Sequence, residues 1–242
     1  MTRKVFKAAF ISSLPVLMGY SAMGMAAGIL LAGTVKLHAL PFWAFLSSGI
    51  NISGALQFIM VNWCDAMIPF TQVALLTFCL NVRYAMYGFS LIEKFRPLPF
   101  WKRAYLIWSL TDETYALEVD DHTPEGENPL DFCMGVAALD HVYWTAGVVA
   151  GSIIGSALPF DSEGIDFAMT ALFLVVLTDL LRNKANRIPA LTGGASTLLA
   201  LLFFIAVYPN AVNRMLLAAM ALMIAVLLIL RKKYERKFGG AA

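Results

Sequence analysis

The chain is expected to fold as an all-α, polytopic membrane helix bundle of seven or eight segments, with broken helices and an internal repeat. Three observations predict this. Of its 242 residues, 60% are hydrophobic and only 14% charged, with a mean hydropathy of +0.72, whereas a soluble domain is nearer half apolar and a quarter charged. The apolar residues fall in runs about as long as the roughly 20 residues that cross a bilayer. The gaps between runs are short and hold turn formers such as Arg96-Pro97-Leu98-Pro99 and Tyr208-Pro209-Asn210. A single integral membrane domain over residues 1–242 follows.

Eight runs can be drawn: 5–35, 41–63, 66–92, 98–119, 132–160, 165–181, 188–208 and 211–230. The first follows Arg3, Lys4 and Lys7 and is too long for the core of a signal peptide. It is expected as an uncleaved span, loosened at Pro15, whose ring frees backbone carbonyls. The second holds Ser47-Ser48-Gly49-Ile50-Asn51-Ile52-Ser53-Gly54-Ala55-Leu56-Gln57-Phe58. Its glycines, hydroxyls and amides weaken a continuous helix and predict unwinding near Gly54. The third carries Asn81, Arg83 and Tyr87, the fourth Thr111, Asp112 and Glu113. Between the fourth and fifth, residues 118–131 hold six acids and no Lys or Arg, which predicts a solvated loop. Its Asp120-Asp121-His122 could hold a cation, the weaker alternative. Gly24, Gly28 and Ala32 in the first run recur in spacing as Gly147, Gly151 and Gly155 in the fifth. Such stripes let helix backbones approach closely, and their recurrence hints at a structural repeat.

Basic residues cluster at Arg3/Lys4/Lys7, Lys94/Arg96/Lys102/Arg103, Arg182/Lys184/Arg187 and Arg231/Lys232/Lys233/Arg236/Lys237. The positive-inside rule places all four in the cytoplasm, the N-terminus included. Yet three runs separate the first cluster from the second, and three the second from the third. An odd number of crossings cannot return to one side. Either the second cluster is external, or one run in each triplet dips in and comes back. Short basic clusters beside oily runs suit lipid head groups and not nucleic acid. Three cysteines, Cys64, Cys79 and Cys133, form no metal motif and read as small hydrophobes. No cofactor or metal is expected.

The chemistry lies in ionisable and amide groups inside oily runs. A charge at bilayer depth costs about 2.5–3.5 kcal/mol on insertion scales, so it is paired or faces a wet cavity. Unwinding near Gly54 would expose backbone groups able to hold a zwitterion, a helix start favouring its carboxylate. Ser53 and Gln57, four apart, share a helical face with that break; helix–helix glue is the plainer reading. Arg83 and Tyr87 also share a face. Arg83 can grip a carboxylate with its planar fork, or pair with Asp112 or Glu113. Those acids are adjacent and point about 100° apart, so they take different partners. One can neutralise Arg83 while the other titrates, with Asp112 the stronger candidate; a helix-end role beside the acidic loop is the alternative. Asn81, Ser53, Gly54, Gln57, Arg83, Tyr87 and Thr111 are therefore the candidate substrate-binding residues, and Arg83, Asp112 and Glu113 the candidate ion pair or proton-coupling set. Asp140-His141 is a second possible relay or an interfacial polar pair.

These stretches also carry a likeness. Asn81-Val82-Arg83-Tyr84-Ala85-Met86-Tyr87-Gly88-Phe89-Ser90-Leu91 resembles a motif of the AzlC family, the large subunit of branched-chain amino acid exporters. Leu110-Thr111-Asp112-Glu113-Thr114-Tyr115-Ala116 resembles its second signature, and Gly54-Ala55-Leu56-Gln57-Phe58 its Gly-Ala-Ser-Gln-Phe element. Pro15-Val16-Leu17-Met18-Gly19-Tyr20 is similar to its opening, and Leu172-Phe173 lies in a stretch like its sixth segment. The order and spacing agree over nearly the whole chain. The resemblance implies an inner-membrane secondary transporter that exports branched-chain amino acids such as valine, working with a small AzlD-type membrane subunit. Leu56 stands where the family usually has serine, and Tyr84 where histidine is common after the arginine.

Two other classes remain on the residues alone. An intramembrane enzyme needs a nucleophile with its base, or metal ligands. The chain has no His-Glu-x-x-His, no Gly-x-Ser-x-Gly and three histidines, His38, His122 and His141. A non-transporting scaffold would use its interior polar groups for packing or partner binding, and an arginine with two acids at depth argues against it. No Gly-x-x-x-x-Gly-Lys-Ser/Thr loop is present to drive an ATP-powered pump.

Overall fold

The computed structural model describes residues 1–34, 40–65, 69–157, 174, 177–178, 181–182, 184–207 and 215–238. Most of the sixth run lies outside these residues, as do Leu172-Phe173, His38, Tyr208-Pro209-Asn210, the side chain of Cys64 and the basic side chains from Arg231 to Lys237. Among the described residues the regular elements are nine helices. They are α1 (Arg3–Thr34), α2 (Leu40–Ile50), α3 (Gly54–Asp65), α4 (Phe70–Phe95), α5 (Phe100–Trp108), α6 (Asp112–Asp120), α7 (Pro129–Ala157), α8 (Lys184–Val207) and α9 (Met215–Phe238). Among the described residues, four stretches are long and apolar enough to cross a membrane: Arg3–Gly33, Phe70–Phe95, Pro129–Ala157 and Arg187–Val207. Large hydrophobes stand outward on them, Phe70 at 83% exposure and Met18 at 78%. Lipid, not water, suits such a surface. The chain divides into two compact units, Met1–Met169 and Thr170–Ala242.

In the first unit α1 lies along α7, and the two small-residue stripes meet face to face. A Cβ on Gly24 would stand 3.1 Å from the Gly147 Cα, and one on Gly155 would stand 3.0 Å from the Ile29 Cα. A Cβ on Gly28 or Gly151 would collide with the opposite backbone, at Val148 and Met25 respectively. Glycine is what permits this approach. Because Gly135 meets Ala9 at one end and Gly155 meets Ile29 at the other, α1 and α7 run parallel. Pro15 does not break α1, which is continuous from Arg3 to Thr34. Neighbouring Ser13 is buried against Tyr143, their hydroxyls 3.2 Å apart.

Both polar runs are broken. The second splits into α2 and α3 at 51–53, where the Asn51 side chain accepts from the Ser53 N–H at 3.3 Å and the Ser53 hydroxyl caps α3 through the Leu56 N–H at 3.4 Å. The fourth splits into α5 and α6 at 109–111, with Thr111 extended and its hydroxyl accepting from the Thr114 N–H at 3.1 Å. Each break folds the chain back. The Gln57 amide donates to the Ser47 hydroxyl at 3.1 Å, although ten residues of straight helix span about 15 Å. At the fourth run, Ile107 abuts Gly88, the Tyr87 and Tyr115 rings stack at 4.4 Å, and the Lys94 ammonium donates to the Glu118 carbonyl at 2.6 Å. So α5 descends beside α4 and α6 climbs back along it.

This settles the parity of the first two basic clusters. The end of α4 packs with the start of α7, where Leu91, Phe95 and Cys133 share a core cluster. The starts of α1 and α7 and the end of α4 therefore lie at one end of the unit. Since α1 leaves that end and α4 returns to it, the α2–α3 pair must enter and leave at the opposite end. The α5–α6 pair dips from the basic end. In the second unit α8 and α9 pack on each other, a Gly193 Cβ lying 3.2 Å from the Met223 sulfur.

Candidate functional site

The two breaks meet at mid-depth. His141 Nε2 lies 3.1 Å from the Gly49 carbonyl, and a Cβ on Gly54 would stand 3.3 Å from the Trp144 ring, both near the middle of α7. The Tyr20 hydroxyl, near the middle of α1, donates to the Thr111 hydroxyl at 2.6 Å. Between the breaks and α4 lies a pocket of about 250 Å³ lined by Ile50, Asn51, Ile52, Ser53, Asn81, Tyr84, Ala85, Ile107, Trp108 and Leu110. That is somewhat below the ~300–1,000 Å³ of drug-sized sites, the scale of an amino acid.

Polar groups converge there with hydrogen-bonding capacity to spare. The Asn51 Nδ2 and Asn81 Oδ1 atoms are buried and no donor or acceptor among the described residues reaches them. Each break also brings together the end of one helix and the start of another. The starts of α3 and α6 offer free N–H groups and a positive dipole end; the ends of α2 and α5 offer carbonyls. Opposite partial charges over isoleucine, leucine and tryptophan walls suit a small zwitterion with an aliphatic tail. A larger hollow of about 580 Å³ between α2 and α7, lined by Phe45, Leu46, Gly49, Ile50, His141, Val142, Thr145, Ala146 and Val149, is almost wholly hydrocarbon. The chemistry favours the smaller one.

Beside the pocket Arg83 pairs with Asp112 at 2.8 Å, and the Tyr87 hydroxyl donates to the other Asp112 oxygen at 2.8 Å. The guanidinium also donates to the Tyr84 hydroxyl at 3.0 Å and lies 4.9 Å above that ring. Tyr84 thus stands between the ion pair and the pocket. The arginine and aspartate side chains keep 46% and 40% exposure. At this depth such a pair cannot face hydrocarbon and must meet water or protein. Asp112 and Glu113 form the first turn of α6, where its dipole favours negative charge. They take different partners: Glu113 Oε2 lies 2.9 Å from the Tyr20 hydroxyl, whose one proton is directed to Thr111.

The structure places Ser53 and Asn81 on the pocket wall. Gly54 begins α3 against Trp144, and Gln57 is fully buried behind the break, bound to Ser47. Arg83, Tyr87 and Asp112 form the neighbouring ion-pair cluster, and buried Thr111 caps α6. Reading the residues in order missed Asn51, Tyr84 and Trp108 on the wall, and Tyr20 as the partner of Glu113. It also misplaced Glu118, expected in a solvated loop: Glu118 belongs to α6 and is fully buried. Thr111, Thr114 and Glu118 lie three and four apart, a helical spacing that marks one face. Further along, Asp121 meets Lys94 at 3.7 Å, and the Thr123 hydroxyl, donating to its carboxylate, holds it below the usual carboxyl range. Among the described residues no group of three or more His, Cys, Asp or Glu could hold a metal ion.

Comparison with known proteins gives the chain a family and relatives. The family model described as AzlC protein matches residues 15–158. A Bacillus subtilis protein named branched-chain amino acid transport protein AzlC is 30% identical over 234 residues, covering 96% of this chain and 87% of its own. A Helicobacter pylori membrane protein is 33% identical over 233 residues, covering 96% and 97%. The Escherichia coli inner membrane protein YgaZ is 28% identical over 183 residues, covering 72% of each. No solved structure matches.

Proposed function

The chain belongs to the AzlC protein family, and from that premise we propose that it is a secondary transporter, not an enzyme, that exports branched-chain amino acids across the inner membrane. One observation carries the reading: two re-entrant helix pairs, dipping from opposite ends, meet at an amino-acid-sized pocket whose Asn51 and Asn81 amides have unused hydrogen-bonding atoms. The carboxylate rests at the start of α3 with the Asn51 amide. The ammonium rests on Asn81 Oδ1 and the carbonyls at the end of α2. Ile50, Ile52, Ile107 and Leu110 take the branched tail. Broken helices at the midplane are how transporters present backbone charge to a zwitterion.

Arg83–Asp112 fastens the tip of the α5–α6 dip to α4. Breaking and remaking that pair during alternating access would move one pocket wall, so the ion pair serves the cycle while the substrate touches Tyr84. Coupling is to protons moving inward as substrate leaves. The end bearing Arg3, Lys4, Lys94 and Arg96 is cytoplasmic, with the N-terminus there. A small AzlD-type membrane subunit completes the transporter.

The test is efflux of valine, leucine, isoleucine and methionine from dipeptide-loaded cells, with the small subunit present and this chain present or deleted. Faster efflux of the branched substrates with the chain is expected. Equal efflux with and without it defeats the reading.

A further inference from the structure

A second set of buried groups lies apart from the pocket, at the contact of α6 with α7. Glu118 has no exposure, and among the described residues no donor reaches either of its carboxyl oxygens. Asp140, at 1% exposure, accepts from the Thr114 hydroxyl at 2.8 Å through Oδ2, while its Oδ1 has no partner among the described residues. An ionised carboxylate so poorly served is strongly disfavoured, so acids in such places hold protons. Structural burial alone would favour an apolar residue or a fully bonded one.

Hydroxyl groups connect Asp140 to the pocket region. The Tyr20 hydroxyl lies between Glu113 Oε2 at 2.9 Å and the Thr111 hydroxyl at 2.6 Å. Thr111 donates to Thr114 at 3.0 Å, and Thr114 donates to Asp140 at 2.8 Å. Each hydroxyl can accept one proton while passing on another. A proton leaving the Glu113 carboxyl for the Tyr20 oxygen displaces one from Tyr20 to Thr111, from Thr111 to Thr114, and from Thr114 to Asp140. Glu113 ends ionised and Asp140 neutral, with one proton moved and none created. Beyond Asp140, Glu118 stands one helical turn past Thr114 on α6, toward the basic end, where Lys94 binds the Glu118 carbonyl at 2.6 Å.

We propose that Asp140 and Glu118 are the proton-carrying sites of the transport cycle, exchanging protons with Glu113 at mid-depth through the Tyr20–Thr111–Thr114 hydroxyls and with the basic end past Lys94. This rests on the proton-coupled export reading and relocates its coupling site. Asp112 is held by Arg83 and Tyr87 and serves the ion pair instead. The titratable groups around these acids are Lys94 from α4 and Asp140 itself near Glu118, and Glu113 from α6 near Asp140, with Tyr20 from α1, Tyr105 from α5 and Cys133 from α7 in turn within reach of one or other carboxyl. His141 turns away, toward Gly49 and Tyr105.

The experiment uses membrane vesicles containing the full chain with its small subunit, and reads two quantities. One is valine–valine exchange without a gradient; the other is valine accumulation driven by an imposed pH gradient. Glu118→Gln and Asp140→Asn keep the shape and one acceptor oxygen but cannot carry the proton. Exchange is expected to persist in both, while gradient-driven accumulation falls by about a hundredfold, the scale of losing a positioned proton carrier. Glu118→Asp should recover part of it. Thr114→Val, which cuts the hydroxyl chain, should slow accumulation without abolishing exchange. Wild-type-like response to the gradient in both acid variants overturns this proposal alone, and so does loss of exchange to the same degree as accumulation. A wild-type chain that exchanges valine but ignores the gradient overturns the coupling reading, and this proposal with it.

Discussion

Asn81 and Arg83 stand two apart on α4 yet do different work. Asn81 faces the pocket with a carbonyl that no donor among the described residues reaches, while Arg83 is engaged by Asp112 and Tyr84. Their variants should separate accordingly. Asn81→Ala is expected to raise the valine KM with the maximal rate nearly kept, because it removes a substrate contact held throughout the cycle. Arg83→Ala should abolish transport while protein remains in the membrane, and Asp112→Asn should do the same. The reversed pair, Arg83→Asp with Asp112→Arg, should recover part of the rate if the ion pair is what matters. No recovery, together with wild-type substrate affinity lost in Arg83→Lys, would instead make Arg83 a carboxylate ligand. Transport kinetics in vesicles reads all of these. Arg83 and its acids were legible in the chain because charges in oily runs are rare; Asn51 and Tyr84 were not, since an amide or a tyrosine at depth is ordinary.

At the scale of elements, the two breaks and the α1–α7 seam position everything else. Thr111 caps α6 and also binds Tyr20. Replacing it with Ala should cost about 0.5–2 kcal/mol of stability and loosen the Tyr20–Glu113 contact, seen as earlier thermal unfolding in detergent. Gly28 and Gly151 leave no room for a side chain. Gly151→Leu would push α1 and α7 apart at a cost of at least about 1–3 kcal/mol, and low recovery of folded protein is the expected result. The same change at Gly49, with nothing within 4 Å of its Cβ position, should leave recovery normal and serves as the control. The glycine stripes were readable as packing surfaces. That they pack on each other was not, because spacing along a helix does not name the partner.

For the whole first unit, the α2–α3 dip makes the first two basic clusters share one end, and the α5–α6 dip returns the chain to that end. Single cysteines at Arg96 and at Asp121 should therefore be labelled from the same side by a membrane-impermeant thiol reagent, on a background with the native cysteines replaced. A cysteine at Ala157, the last residue of α7, should be labelled from the opposite side. Labelling of Arg96 and Asp121 from opposite sides would mean that α5–α6 crosses the membrane. The parity conflict among basic clusters was visible in the chain, and a dip in each triplet was one of its two solutions. The packing of Leu91 and Phe95 on Cys133, with α1 and α7 parallel, chose between them for the first pair of clusters, because it shows that α4 ends where α1 begins.

The amino-acid order by itself determined that this is a helical membrane protein of the AzlC kind, where its apolar runs lie, and which of them are too polar to continue unbroken. These are local matters, set by hydropathy, turn chemistry and motif spacing over short stretches of chain. Only the tertiary structure decided that the two breaks face each other across a pocket, that Arg83 chooses Asp112, and that Glu118 lies buried near Asp140 and not in a loop. Each of those depends on which helix faces lie together in space, and residues such as Tyr20 and Glu113, 93 positions apart, carry no local sign of one another.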